Sequence, residues 1–208
     1  MKLNTDRKIG LFAMSGYGKS TLGNFLIESY SQKVPVIIYN TDYEDLKFNS
    51  KNVIVLAPDV HKVDDLEYLN RIIRKLRSKY SNFMLYIRDI DVFFDDKKSA
   101  DKFAKELKNL ASTGRHQRIG LIYESKQLKY MPLKVISNTN LIFFGNFSEV
   151  DDVKRLKNFA AKKEITSLKS PAFIMYDRIT NERFLVHLDM ERGKLVNDMK
   201  LKDLSEII

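Results

Sequence analysis

Ala13-Met14-Ser15-Gly16-Tyr17-Gly18-Lys19-Ser20-Thr21 is the stretch that decides how this chain folds. The apolar run Ile9 to Met14 leads into it, and Leu22, Phe25 and Leu26 follow at helical spacing. Strand, glycine-flanked turn and helix in that order make a phosphate loop, in which successive backbone N–H groups and the positive end of the helix face an anion. Ser15, Gly16, Tyr17, Gly18, Lys19, Ser20 and Thr21 would then line a polyphosphate, with Lys19 reaching the β- and γ-phosphates and the Ser20 hydroxyl ligating Mg²⁺. The cofactors expected from this loop are ATP and Mg²⁺. Its consensus begins with glycine where the chain has Ala13, but the Gly18-Lys19-Ser20-Thr21 tail is intact.

Outward from the loop, short apolar runs alternate with helical patterns, the signature of an α/β fold with a mostly parallel sheet flanked by helices. The expected strands are Ile9 to Met14, Val34 to Asn40, Asn52 to Leu56, Phe83 to Ile87, Ile119 to Tyr123 and Asn140 to Phe144. Most are continuous apolar runs, as strands buried on both faces require. Leu66, Leu69, Ile72, Ile73, Leu76 and Tyr80 repeat at helical spacing, as do Phe103, Ala104, Leu107, Leu110 and Ala111 after a helix start at Asp95-Asp96. A further helix is expected over about Val150 to Ala161, turning Val153, Leu156 and Phe159 inward. Ala172 to Tyr176 and Phe184 to Leu188 read as a C-terminal β-hairpin around Arg178 to Arg183. The whole chain, 1–208, is expected to be one domain, with a core over about 7–147 and a helix and β extension over about 148–208.

Composition narrows the function classes. The chain has 208 residues, 44% of them hydrophobic, which suffices for a substantial core. Lys plus Arg number 36 against 27 Asp plus Glu, a formal net charge of +9 that favours an anionic partner such as nucleic acid. The lysines are spread along the chain, so a solvated basic surface accounts for the charge as well. There is no cysteine, which excludes disulfides and thiolate metal sites. His61, His116 and His187 stand too far apart to have metal-ligand spacing. No apolar run approaches the roughly 18 residues of a membrane span and the first residues lack the core of a signal peptide, so a soluble intracellular protein is expected.

A phosphate-loop ATPase needs a carboxylate at the end of a nearby strand for the Mg²⁺ shell and a second acid to align the attacking water. Phe83-Met84-Leu85-Tyr86-Ile87-Arg88-Asp89-Ile90-Asp91 is the stretch where both should lie. Counting from the apolar run puts Arg88 at the metal-shell position and Asp89 at the water-orienting one. Two registers are open: Asp89 in the metal shell with Asp91 or another acid on the water, or Asp89 alone with slow turnover. A cation facing Mg²⁺ would repel it, so the Arg88 side chain is expected to point away from the ion.

The later stretch Thr113-Gly114-Arg115-His116-Gln117-Arg118-Ile119-Gly120-Leu121-Ile122-Tyr123-Glu124-Ser125-Lys126 resembles the FtsK/HerA superfamily of DNA-pumping ATPases. There an Arg, a short connection and an apolar strand end in Thr-Gln or Ser-Gln. Aligned on Arg115, the chain has Ser125 at the hydroxyl position but Lys126 at the glutamine position, with Gln127 one step late. Leu168 to Asp177 is similar to the closing strand of the compact viral branch, the genome-packaging ATPases of membrane-containing viruses with double-jelly-roll capsids, archaeal ones included.

The resemblance implies a RecA-like core assembled as a homo-oligomeric ring around double-stranded DNA, a hexamer being one such ring, with ATP held between subunits. It implies that Arg115 enters the neighbouring subunit's site as an arginine finger, Arg118 being the substitute, and that Ser125 senses the γ-phosphate or ends its strand. The catalytic candidates are thus Lys19, Asp89, Arg115 and Ser125, and the metal candidates Ser20 and Asp89. The implied activity is ATP-driven DNA translocation, most readily viral genome packaging, with a capsid or membrane portal as further partner and a place in the host cytoplasm or the virion. The alternative is a nucleotide-gated binding or assembly factor whose catalysis the Ala13, Arg88 and Lys126 departures have weakened or ended; against a third reading, a small-molecule kinase, the chain shows no lid-like arginine-rich segment and no substrate-pocket signature. Lys97, Lys98, Lys102, Lys105 and Lys108, and Arg71, Arg74, Lys75 and Arg77, are candidate DNA-facing groups or the solvated faces of two amphipathic helices.

Overall fold

The computed structural model describes residues 5–42, 46–59, 61, 65–94, 105–129, 131–157, 159, 161–189, 191 and 194–200. Six apolar runs form the parallel strands: β1 (Lys8–Phe12), β2 (Val36–Tyr39), β3 (Val53–Leu56), β4 (Met84–Ile87), β5 (Gly120–Ser125) and β6 (Leu141–Phe144). They agree with the expected strands to within a residue or two. Three further strands, β7 (Ala172–Asp177), β8 (Glu182–Asp189) and β9 (Lys194–Lys200), continue the same sheet in antiparallel pairing. The hairpin expected at the C-terminal end is therefore three strands of a nine-stranded sheet in the order β3-β2-β4-β5-β1-β6-β7-β8-β9.

Connectivity follows from burial. Strands β1, β2, β4, β5 and β6 are buried along their whole length, and each needs helical cover on both faces. Helix α1 (Lys19–Ser31) leads from β1 to β2, and α2 (Leu66–Lys79) from β3 to β4. The Asp65 carboxylate starts α2 by accepting from the N–H groups of Glu67 and Tyr68 at 2.8 and 3.0 Å. Helix α3 (Lys105–Thr113) runs into a 3₁₀ turn, Gly114–Gln117, before β5, and the short α4 (Leu133–Ser137) precedes β6. The start expected for α3 at Asp95-Asp96 lies outside the described residues, as do Phe103 and Ala104.

Two differences from the expectation have physical causes. The single helix expected over Val150 to Ala161 is two: α5 (Val150–Leu156) and α6 (Lys162–Ser167). The chain turns after Leu156, where the Phe159 N–H donates to the Leu156 carbonyl at 2.8 Å and Phe159 is buried. The Glu164 carboxylate then accepts from the Ala161 N–H and starts a new helix. Strand β3 is the other: it is not buried, since Ile54 is 51% and Val55 38% exposed. It lies at the edge of the sheet, with a single strand neighbour.

Because β1 through β6 are parallel, the chain leaves β1, β2, β4 and β5 on one common edge. The loops after these strands meet there, the usual location of a ligand crevice in an open parallel sheet. Gly23 in α1 sets the depth of the packing beneath this edge: a Cβ there would stand 2.1 Å from the hydroxyl oxygen of the fully buried Tyr86. In an exposed helix Gly→Ala gains about 1 kcal/mol. Overpacking a core costs about 1–3 kcal/mol, and Tyr86 is fully buried. Gly23→Ala should therefore lower stability in a urea unfolding titration, whereas a rise in the midpoint would show that Tyr86 can shift.

Candidate nucleotide site

Hydrogen bonding fixes both ends of the loop after β1. Gly145 N–H donates to the Phe12 carbonyl at 2.7 Å, Ala13 N–H to the Ser125 carbonyl at 3.4 Å, and Met14 N–H to the Asn146 carbonyl at 3.2 Å. Gly16 and Gly18 then take left-handed conformations, φ 74° and 93°, which glycine adopts without strain. Ala13 is not among the residues of positive φ, so its Cβ meets no backbone penalty, and its side chain is fully buried. The consensus glycine is therefore dispensable in this chain. Helix α1 opens with Leu22 N–H donating to the Gly18 carbonyl at 3.0 Å, so the amides of its first turn are left to face an anion.

Tyr17, between the two glycines, turns inward. Its ring meets that of Phe173 on β7 edge-on, 5.4 Å between centroids, and a Cβ on Gly145 would approach its Cε1 to 2.4 Å. Burial pushes its phenol up to about 12. Of the expected nucleotide-lining residues, Tyr17 thus offers its backbone while its side chain anchors the loop. Lys19 is buried and donates from Nζ to the Met14 carbonyl at 3.0 Å, across the mouth of the loop. Burial pulls its ammonium below the ordinary value, an effect opposed by the negative charges of Glu124, Asp89 and Asp91 and reinforced by Lys126.

The acids behind Lys19 are arranged in a way the sequence reading did not anticipate. Arg88 is 1% exposed, and its guanidinium is engaged on two sides by carboxylates. Nη2 lies 2.9 Å from Asp42 Oδ2 beyond β2, and Nε donates to Glu124 Oε1 at 3.3 Å. Glu124, itself 1% exposed on β5, accepts from the Ser20 hydroxyl through Oε2 at 3.4 Å. Burial pushes the Glu124 carboxyl up to about 7 against the pull of Arg88.

Asp89 sits at φ 38°, ψ 54° at the head of a 3₁₀ turn, Ile90–Phe93. It is 29% exposed, with Oδ2 3.8 Å from Lys126 Nζ. Asp91 accepts from the Lys126 N–H at 3.1 Å, and burial raises its pKa above the ordinary carboxylate range. The Ser125 hydroxyl donates to the Gln127 carbonyl and accepts from the Gln127 N–H at 3.3 Å, within its own turn.

The structure therefore gathers Lys19, Ser20, Asp89, Asp91 and Ser125 at one edge and adds Glu124 and Asp42, which the sequence reading passed over. Among the described residues no group of three or more His, Asp or Glu side chains forms a metal cage. The hydroxyl and carboxylate oxygens at Ser20, Glu124 and Asp89 are the donor type Mg²⁺ prefers, and Mg²⁺ uses one or two carboxylates together with substrate phosphates. Arg115 lies elsewhere. It is exposed in the 3₁₀ turn before β5 and lines an open cleft of about 350 Å³ with Asp6, Arg7, Lys8 and Asn140, at the starts of β1 and β6. The five steps from Gly120 to Ser125 along β5 separate it from Lys19 by at least about 17 Å at 3.3 Å per residue.

Comparison of the coordinates with solved structures gives the same architecture. The chain is similar to the genome-packaging NTPase of Sulfolobus turreted icosahedral virus 2 in complex with ATP-gammaS, with a TM-score of 0.68 and 19% identity over 88% of this chain and 98% of that one. It is likewise similar to the DNA-packaging ATPase of Sulfolobus turreted icosahedral virus, TM-score 0.67 and 20% identity over 88% and 98%. This chain has the fold of a P-loop ATPase. The conjugation coupling protein TcpA also matches, with a TM-score of 0.59 and 16% identity over 84% of this chain and 58% of that one. No protein-family model and no curated protein sequence matches.

The candidate DNA-facing groups are divided. Arg77 is spent on Glu106 at 3.7 Å, Gln117 at 3.1 Å and Thr113 at 3.3 Å, tying α2 to α3. Arg74 reaches Glu106 at 3.4 Å and Arg71 stacks over the Tyr68 ring. Lys75 and Lys105 are exposed and Lys108 is half-buried, while Lys97, Lys98 and Lys102 lie outside the described residues.

Gly145 tests whether Tyr17 holds the loop in its working shape. Gly145→Ala should push the Tyr17 ring aside and lower ATP affinity in calorimetry, by about 5- to 150-fold if the overpacking of about 1–3 kcal/mol falls on the loop's working shape, with the far-ultraviolet circular dichroism unchanged. Wild-type affinity in that variant would separate the ring contact from phosphate binding.

Proposed function

We propose that the protein is an ATP-driven double-stranded DNA translocase, and that viral genome packaging is its task. One observation carries the reading: the phosphate loop and Arg115 stand at opposite ends of the same parallel strands, which supports a role for the arginine in the site of a second subunit and not in its own. A ring with each nucleotide at a subunit boundary would use the arginine in this way. The likeness to two viral packaging ATPases over nearly their full length supports the packaging task. The net charge of +9 suits sequence-independent contact with DNA phosphates.

The residues act as follows in this reading. The amides of Gly16 to Ser20 and the Lys19 ammonium bind and orient the triphosphate, and the Ser20 hydroxyl with nearby carboxylates holds Mg²⁺. Held there, Mg²⁺ would supply charge neutralisation to the triphosphate. Asp89 orients the attacking water, and Ser125 marks the strand end beside the γ-phosphate. The Arg115 guanidinium of one subunit stabilises the transferring phosphoryl group in the next, an effect of about 10³ to 10⁵ in rate. Loss of the γ-phosphate removes that cross-boundary contact, and the difference in contact energy shifts one subunit against its neighbour. Among the described residues no helix is long and apolar enough to cross a membrane, which suits a motor acting in the host cytoplasm or on the virion, with a capsid or portal component as docking partner.

The buried ion pair at Arg88 favours a second reading, a nucleotide-gated assembly factor of low turnover, because a cation stands where the metal-shell acid is expected. Steady-state phosphate release with and without duplex DNA separates the two. The motor reading expects DNA-stimulated release, abolished by Lys19→Ala and reduced about 10³-fold or more by Arg115→Ala, with nucleotide affinity kept in the Arg115 variant. It also expects an equal mixture of the two variants to regain part of the activity, since some boundaries then pair an intact loop with an intact arginine. No recovery on mixing would place both residues in one subunit's site or deny the ring.

A further inference from the structure

The most unusual feature of the site is a row of alternating charge across the strand ends. Asp42 follows β2, Arg88 follows β4, Glu124 lies in β5, and Lys19 and Ser20 follow β1. The register explains the row. Tyr39 pairs with Ile87, Ile87 with Tyr123, and Leu11 with Glu124, so Arg88 and Glu124 are lateral neighbours one step past the Ile87–Tyr123 pair. The strands here lie about 4.8 Å apart, which lets each side chain reach the next.

Two of the four charges, Arg88 and Glu124, are each 1% exposed. A buried guanidinium or carboxylate costs several kcal/mol unless paired and hydrogen-bonded, so each charge requires the other. The pair also does something directional. With Oε1 held by Arg88 Nε at 3.3 Å, the Glu124 carboxylate turns Oε2 onto the Ser20 hydroxyl at 3.4 Å. The main chain at Arg88 is fixed in turn: its carbonyl accepts from the Thr41 hydroxyl at 2.9 Å, and its N–H donates to the Tyr39 carbonyl at 3.3 Å.

We propose that Glu124 is the carboxylate that completes the magnesium shell at Ser20, and that Arg88 is the positioning residue that aims it. This rests on the nucleotide reading above and deepens it. The acid missing from the end of β4 is supplied by β5, the strand directly beside the phosphate-loop strand. The cation at position 88 does not oppose the metal, because the Glu124 carboxylate stands between them and Asp42 balances its far side at 2.9 Å. Asp89, turned toward Lys126 at 3.8 Å, is left for the attacking water. The open choice between the two acidic registers is thereby resolved in favour of a third, in which the metal-shell group comes from a different strand.

The test is calorimetric titration of a non-hydrolysable ATP analogue into the full chain, in Mg²⁺ and in EDTA, with thermal unfolding of each variant as a folding check. The unmodified chain should bind more tightly in Mg²⁺ than in EDTA. Glu124→Gln should keep its EDTA affinity and lose about 10- to 100-fold in apparent magnesium affinity, the usual effect of removing a group around a metal. Glu124→Asp, which keeps the charge and a partner for Arg88 but withdraws it by one methylene, should fall between the two.

Asp89→Asn should keep the magnesium gain while losing hydrolysis. Arg88→Lys, charged but without a guanidinium's two-sided reach, should lose part of the gain at constant EDTA affinity. An intact magnesium gain in both Glu124 variants, or its loss in Asp89→Asn alone, overturns the assignment and leaves nucleotide binding standing. An equal fall with and without Mg²⁺ in Arg88→Lys overturns its positioning role. Failure of the unmodified chain to bind the analogue in either condition overturns the nucleotide reading itself, and the assignment with it.

Discussion

The position of β1 between β5 and β6, parallel to both, is the constraint on which the rest of the molecule depends. Its ladder does not stop at Phe12. Hydrogen bonds from Gly145, Ala13 and Met14 carry the pairing into the loop, so the glycine-flanked turn is an extension of the sheet and inherits its rigidity. A loop anchored in this way at its start, with α1 opening at its far end, holds two glycines in left-handed conformations and a buried lysine. The same parallel arrangement brings the ends of β2, β4 and β5 alongside, so charges far apart in sequence become lateral neighbours. Site and scaffold are one set of backbone pairings.

Much of this was legible in the chain. Five of the six parallel strands read directly as apolar runs because burial on both faces leaves no alternation to misread. The loop was legible because glycine spacing, lysine and hydroxyl must occur in a fixed order for the chemistry to work. Where the reading failed, a tertiary effect had intervened. The helix over 150–161 has an unbroken apolar face, yet the Glu164 side chain restarts the backbone after Ala161 and Phe159 leaves the helical path to pack. Strand β3 has the composition of a core strand and lies at the edge, which depends on strand order and not on local sequence.

The site was half legible for a similar reason. Counted along its own strand, Arg88 stands where an acid is expected, and Glu124 in its apolar strand carries no role from the sequence alone. A glutamate inside an apolar strand is itself a signal, since such a group is almost never buried without a partner. Arg88 at the end of the next apolar run was the other half of that signal. Joining them needed the β4–β5 register, which one sequence does not display. The loop alanine was a milder case. It departs from consensus at a position whose backbone angle in this fold makes no demand for glycine.

The ring of Tyr17 has a consequence for the far end of the chain. It is wedged between Gly145, at the end of β6, and Phe173, on the first antiparallel strand. The back wall of the phosphate cradle is thus built by residues more than a hundred positions downstream. The antiparallel extension is for that reason no ornament on a finished core. A chain cut short before β7 would keep every residue of the glycine-flanked loop and lose the Phe173 surface against which Tyr17 packs, and any tilt of β7 would be felt in the loop through that aromatic lever.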